Sequence, residues 1–383
     1  MKYRELGNTG ISVSAVGLGA EHLDGKPYET VEQTIHAALE NGINIMDVFM
    51  PGEEIRSNIG KALGKQRSRM FIQGHIGSVD LKQQYDISRD LSVCKRYFEN
   101  LLSCLGTDYI DFGMLFFMDS DKALSLVHQN GILDYVHALK QQGVIRFIGA
   151  SSHNPAIARK MVEEGMIDLL MFSINPAFDM TPTHQDVMEI FDGEHFSEQQ
   201  YVQMDPAREQ LYKLCAQKGV GITVMKTLGG GRLLSEHHSP FERPMSVAQC
   251  IHYALTRPGV ASALMGCASA EQVQEAVGYF SLDERQKDYT GVIQSIQGSL
   301  TGRCVYCSHC QPCPADIDIA NVNKYLDIAS AAPEGIPPSI QQHYLSLNAY
   351  ASACILCGSC EEKCPFDVPI MSNMDRAAKL FGK

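Results

Sequence analysis

Short apolar runs rich in β-branched and aromatic residues recur along the first three quarters of the chain, separated by segments of helical periodicity. A hairpin is expected over 2–17, turned at Asn8-Thr9-Gly10. Strands are expected around 15–19 and over 43–46, 70–73, 109–117, 147–150, 169–174, 221–225 and 263–265. Helices are expected over 30–40, 55–63, 87–105, 132–142, 155–164, 206–217, 246–256 and 270–280. Pro244 stands two residues ahead of one helix, and Ser269 is placed to cap the last. Strict alternation predicts a parallel sheet, and eight such units favour an α/β fold closed into a (β/α)8 TIM barrel. No GxGxxG opens a first helix, which weakens the doubly wound alternative. The barrel is expected over 1–281, a helical linker over 282–300, and a small, mainly α domain over 301–383 with helices at 317–328 and 340–353. An acidic insertion over 178–205, with His184 and His195, reads as a lid or as plain surface.

The last domain changes the picture most. It carries the runs Cys304-x2-Cys307-x2-Cys310-x2-Cys313-Pro314 and Cys354-x2-Cys357-x2-Cys360-x3-Cys364-Pro365. Four thiolates per run, the last followed by proline, is a spacing that wraps a cubic iron–sulfur cluster. Zinc is the competing reading, since paired CxxC motifs also make tetrahedral thiolate sites. A disulfide framework does not suit a chain of 383 residues without a secretory signal. The other cysteines (Cys94, Cys104, Cys215, Cys250, Cys267) are scattered and expected to pack as small apolar residues. A net charge of −12 disfavours nucleic acid and anionic membrane as partners. The start, MKYRELGNTG, lacks the apolar core of a signal peptide, and no apolar run is long enough to span a bilayer. The expectation is a cytoplasmic protein in a reducing compartment.

The stretches MKYRELGNTGISVSAVGLG, NGINIMDV, LLSCLGTDYIDF, GVIRFIGASSHNP, GVGITVMKTLGGGRL and GCASAEQVQEA make the first 280 or so residues resemble the aldo-keto reductases. The whole chain is similar to the subgroup carrying a C-terminal ferredoxin-like domain. In two-cluster ferredoxins the fourth Cys of each run ligates the other cluster. That resemblance implies two [4Fe–4S] clusters, one on Cys304, Cys307, Cys310 and Cys364 and the other on Cys354, Cys357, Cys360 and Cys313. The first run departs from the pattern by one residue before its last Cys.

The family's chemistry is a hydride transfer from a nicotinamide to a carbonyl, with a Tyr proton donor tuned by an Asp–Lys pair and a His that polarises the carbonyl. Asp47 stands at the Asp position, but Gly52 replaces the Tyr, His75 the Lys and Phe116 the His. The resemblance likewise puts Ser151-Ser152 at the cofactor's Ser-Asn pair, Met171 at a Gln, Met225 at a stacking aromatic and Gln272 at the Arg that grips the adenosine phosphate. What survives is Gly229-Gly230-Gly231 and Gly266 to Ser269, the latter opening a helix whose N–H groups could meet a phosphate. Ser151, Ser152 and the strand-end residues Asn175 and Lys226 are further candidate cofactor-binding residues. NADP lacks its usual partner; NAD(P) or a flavin stays open.

At strand ends the sequence offers His22, Asp47, His75, Asp119, His153, Asn175, Lys226 and Cys267. Asp47 and His75 would make a general-acid pair, and His22, His75 and His153 could instead converge on a metal. Lys226 is expected to meet a ligand anion or Asp47, and Arg56 to be a solvated helix charge. Met50, Met171, Met225 and Met265 suggest an adaptable pocket or simply core. The functional expectation is an iron–sulfur oxidoreductase passing electrons to or from a small molecule at the barrel mouth, with a ferredoxin or flavodoxin as redox partner. The alternatives are a non-catalytic electron-transfer scaffold, with a mouth plugged by Phe116, Phe117 and Met50, and an NAD(P)-dependent carbonyl reductase with a substitute acid.

Overall fold

A computed structural model describes residues 1–80, 85–181, 204–293, 302, 304–332 and 335–383. Eight parallel strands close into a barrel: β1 (Val16–Gly19), β2 (Ile45–Val48), β3 (Phe71–Ile76), β4 (Ile110–Leu115), β5 (Ile145–Ser152), β6 (Leu169–Ser173), β7 (Gly221–Met225) and β8 (Val260–Gly266). Neighbours in the chain are neighbours in the sheet, and β8 pairs with β1 to complete the ring. Strand interiors are almost wholly buried, as expected of strands that are apolar on both faces. The expected hairpin is present as Tyr3–Glu5 paired with Ser12–Ser14. Its Leu6, Ile11 and Val13 pack with Ile45, Phe112 and Leu169 in the barrel core.

Two elements escape the periodicity. A second hairpin pairs Ser78–Asp80 with Tyr85–Ile87, so the helix expected from 87 begins only at Leu91. Asp90 sets that start, its carboxylate accepting the Val93 N–H at 3.0 Å. A short helix, Asp121–Gln129, is capped by Ser120 and buries only Leu124 and Val127, too little apolar surface to read as a period.

Arg56 corrects a second expectation. It is not a solvated charge but is 0% exposed, donating to the carbonyls of Met50 (2.8 Å) and Tyr97 (2.9 Å) and to Asn100 (3.1 Å). Burial lowers its pKa to about 10. Its helix, Glu53–Leu63, packs against the helix Leu91–Leu105, and Gly60 lets the two backbones meet.

Contact density divides the chain into two compact units. One is residues 1–174, 220–227 and 260–280, which hold the barrel strands; the other is 175–219, 228–259 and 281–383. In the second, the helix Pro206–Lys218 packs on Ile319–Ser330, and Gln217 donates to the Ile328 carbonyl at 3.0 Å. Tyr344 stacks on Phe381 at 4.0 Å. The helix expected over 340–353 runs instead from Pro338 to Leu345, because Ser346 turns its hydroxyl back to the His343 carbonyl. His184, His195 and most of the expected lid lie outside the described residues, but Asp179, at its start, is fully buried rather than part of a polar surface.

A Cβ at position 60 would lie 2.5 Å from the Cys104 carbonyl oxygen and 2.7 Å from the Leu105 Cα. Because these are backbone atoms that cannot swing aside, Gly60→Ala is expected to cost about 1–3 kcal/mol, read from the urea midpoint at unchanged slope.

Candidate active site and metal centre

Alternation in β3 sends Gln73 and His75 to the same face, and β2 brings Asp47 beside them. Asp47 Oδ1 accepts from Gln73 Nε2 at 3.0 Å and from His75 Nε2 at 2.8 Å. All three are buried. Because a carboxylate is an acceptor, the His75 proton sits on Nε2. Nδ1 is then a bare lone pair with no hydrogen-bond partner among the described residues. Phe116 meets the imidazole edge-on at 5.3 Å, and Phe49, stacked on Phe116 at 5.8 Å, lies 6.2 Å away. Tyr85, from the unexpected hairpin, stands edge-on to Phe49 at 5.5 Å. Polar convergence and an aromatic cover therefore coexist at this mouth, Met50 being buried too. Gln73 was missed as a partner, although its place two residues before His75 puts it on the same strand face.

Asp119 holds a second centre together. It accepts the Ser152 hydroxyl (2.9 Å), the His153 backbone N–H (2.5 Å) and, at its other oxygen, His153 Nδ1 (2.9 Å). Ser151 turns its hydroxyl to accept the Phe117 N–H at 2.9 Å, helping Phe117 hold φ at 53°. His153 is thus committed to Asp119 and His75 to Asp47, while His22 covers Gly266, where a Cβ would lie 2.6 Å from its ring. The three histidines form no metal site: among the described residues no group of three or more His, Cys, Asp or Glu is arranged to hold a metal ion.

The thiols behave differently, gathering around two hollows. Cys304, Cys307, Cys310 and Cys364 line one, and Cys310, Cys313, Cys354, Cys357 and Cys360 line the other. Cys364 has thus crossed from the second run to the first hollow, and Cys313 from the first run to the second. Tyr306 and Ser308, either side of Cys307, and Leu356, before Cys357, have φ of 60°, 64° and 55°. Such left-handed residues curl a loop so that successive N–H groups point inward. The Tyr306 N–H is directed at the Cys304 sulfur and the His309 N–H at Cys307. Thiolates spread around a hollow, with N–H donors on the sulfurs, fit a four-iron cube better than a single ion.

Over residues 15–246 the sequence matches the Aldo/keto reductase family. The chain belongs to that family. Residues 303–369 match a 4Fe-4S dicluster domain. The uncharacterized oxidoreductase YqkF of Bacillus subtilis (strain 168) is 24% identical over 291 residues, covering 72% of this chain and 90% of that protein. The L-galactose dehydrogenase of Arabidopsis thaliana is 26% identical over 308 residues, covering 72% and 87%. The solved aldo-keto reductase AKR11C1 from Bacillus halodurans (holo form) superposes with a TM-score of 0.59 at 22% identity, over 77% of this chain and 96% of that one, a likeness of fold. The protein is an oxidoreductase of the aldo-keto reductase type with an iron–sulfur domain. Among the described residues no helix is long and apolar enough to cross a membrane.

Aldo-keto reductases typically bind NAD(P), and several of the candidate positions for it already hold a hydrogen bond or an ion pair within the protein. Asn175 accepts the Phe178 N–H at 2.9 Å as a helix cap. Lys226, with φ of 59°, brings its ammonium within 4.0 Å of Glu21, while Asp47 is served by Gln73 and His75 instead. Gly229 and Gly230 lie in a left-handed turn. Ser269 occupies the N-cap of Ala270–Gly278 without a capping hydrogen bond. Gln272, at the family's phosphate-binding Arg, accepts the Ala268 N–H at 2.7 Å, so that donor is already used.

Burial alone would raise the Asp119 carboxyl, but the hydrogen bonds from His153 and Ser152 outweigh it and hold the pKa below the usual carboxylate value. A depressed folded pKa gives stability that is present above the unfolded value, near 3.9, and lost as pH falls through the folded one. Asp119→Asn is expected to remove that part of the acid limb, so that urea midpoints of the two proteins converge as pH drops below about 4.

Proposed function

We propose that this protein passes single electrons through two [4Fe–4S] clusters to or from a small molecule at the barrel mouth, without the tyrosine chemistry of its family. The carrying observation is the exchange of Cys364 and Cys313 between hollows, which supports the ligand sets Cys304, Cys307, Cys310, Cys364 and Cys354, Cys357, Cys360, Cys313. Clusters held there would supply one-electron steps. In the reducing direction a reduced carrier of ferredoxin or flavodoxin type gives up two electrons in sequence. The substrate takes them with one proton from His75, protonated at Nδ1, and a second from solvent. Asp47 steadies the imidazolium through Nε2, and Phe49 and Phe116 flank the ring and hold it in place while leaving solvent to supply the second proton. A bound flavin or NAD(P) would serve as the organic group that joins one-electron and two-electron steps. A cytoplasmic, reducing setting suits the unpaired thiols.

A second reading is favoured by one observation. His75 is 2% exposed, which suits a scaffold whose barrel has no turnover. Anaerobic purification followed by iron and sulfide assay, EPR and mass spectrometry of released small molecules separates the two. The expected result is about eight irons per chain and a bound redox-active molecule or turnover with a reduced carrier, as two cubes require. Cys364→Ser and Cys313→Ser should each remove the signal of one cluster. His75→Ala should keep both clusters while turnover falls at least about 100-fold, the usual worth of a positioned acid. Zinc in place of iron would overturn the proposal, as would carbonyl reduction by NAD(P)H at ordinary family rates. Intact clusters with no ligand and no turnover would leave the scaffold.

A further inference from the structure

Helix Val247–Thr256 and the residue that ends it, Arg257, lie against the first cysteine loop. The His252 ring meets the backbone of Cys307. Arg257 is 3% exposed and donates through Nη2 to the carbonyl of Val305, the residue after Cys304, to the Tyr289 hydroxyl and to Thr256 (both 3.0 Å). Its guanidinium stacks on Tyr253 at 4.3 Å and faces Tyr306 at 5.5 Å. Tyr289 donates to the same Val305 carbonyl at 2.9 Å.

What Arg257 does not have is a carboxylate. Among the described residues it makes no ion pair. Asp179, whose charge reaches it, already receives Arg208 at 2.9 Å, Tyr212 at 2.5 Å and Tyr253 at 2.8 Å, and Asp327 accepts the Tyr306 hydroxyl at 2.6 Å. Arg208 thus has a paired carboxylate and Arg257, equally buried, has none in contact, and a buried charge without a contacting counter-charge is costly in a low-dielectric interior. Arg56 is also buried without an acid, but it adjoins two helices and no cysteine loop. The surplus charge at Arg257 sits on the loop that presents Cys304 and Cys307. A cube with four thiolate ligands is a net anion, and reduction by one electron adds one more negative charge.

We propose that Arg257 is the buried counter-ion of the cluster held by Cys304, Cys307, Cys310 and Cys364 and raises that cluster's reduction potential. This rests on the two-cluster reading. Buried charge acts on a cluster's potential because it stabilises the reduced form more than the oxidised one. Being buried, the effect is screened little by salt.

The test is potentiometric EPR titration, with iron assay, of the anaerobically purified full chain as wild type, Arg257→Gln and Arg257→Lys. The expected result is that R257Q shifts one midpoint to more negative potential and leaves the other in place, while R257K keeps most of the wild-type value. If R257Q instead loses half of its iron and R257K retains it, charge is again the deciding property. Wild-type midpoints in fully loaded R257Q would overturn the proposal, and so would R257K behaving like R257Q, since packing alone would then explain the residue. A wild-type protein without clusters would remove the two-cluster reading itself, a result distinct from either.

Discussion

A carboxylate taken out of water must be given hydrogen-bond donors, and the buried aspartates of this chain organise the structure around that need. Asp47 gathers Gln73 and His75 at the end of the barrel interior. Asp119 draws in Ser152 and His153 and so fixes the turn after β5. Asp179 binds Arg208, Tyr212 and Tyr253, tying three segments of the second unit together. At Asp47 and Asp119 the residues recruited include the candidate site residues His75 and Ser152, so there the packing of charge and the candidate function are one problem.

The barrel keeps its family's fold, and by resemblance different side chains stand at the positions of the family's reaction centre. By resemblance Gly52 stands at the family's tyrosine position and His75 at its lysine position; the His75 Nδ1 has no hydrogen-bond partner among the described residues, and Phe116 meets the ring edge-on. Without a tyrosine to tune, a permanent cation beside Asp47 would have no task, and an imidazole fits that place because it can carry a proton or not without leaving the carboxylate unpaired. Fold persists through such a change because it depends on strand register and apolar packing, which these positions do not interrupt.

The second unit gains its order from a different source. Its loops alternate left-handed and extended residues around cysteines, a costly backbone unless inward-pointing N–H groups meet sulfur. The helix at 206–218, which by order in the chain belongs to the β/α repeat, packs on the helices that follow the first cysteine loop, and the helix at 247–256 packs on the short helix Glu284–Lys287 ahead of it. Arg257 and Tyr289 are the polar part of that packing, meeting at one carbonyl beside Cys304.

The sequence by itself determined the eight strands, the barrel, the hairpin at its base and the two cysteine runs, because alternation and spacing are local properties that a chain displays in order. It also pointed to Asp47 and His75 as neighbours through the resemblance of strand ends. It did not disclose that Arg56 and Asp179 are buried, that Ser269 leaves its cap unmade, or that Gln272 closes on Ala268. Nor did it single out Arg257, which reads as an ordinary charge before a Pro-Gly turn. These depend on which surfaces meet across tens or hundreds of residues. A polar side chain looks the same in sequence whether water or a distant carbonyl will satisfy it, and only the assembled structure supplies the partner.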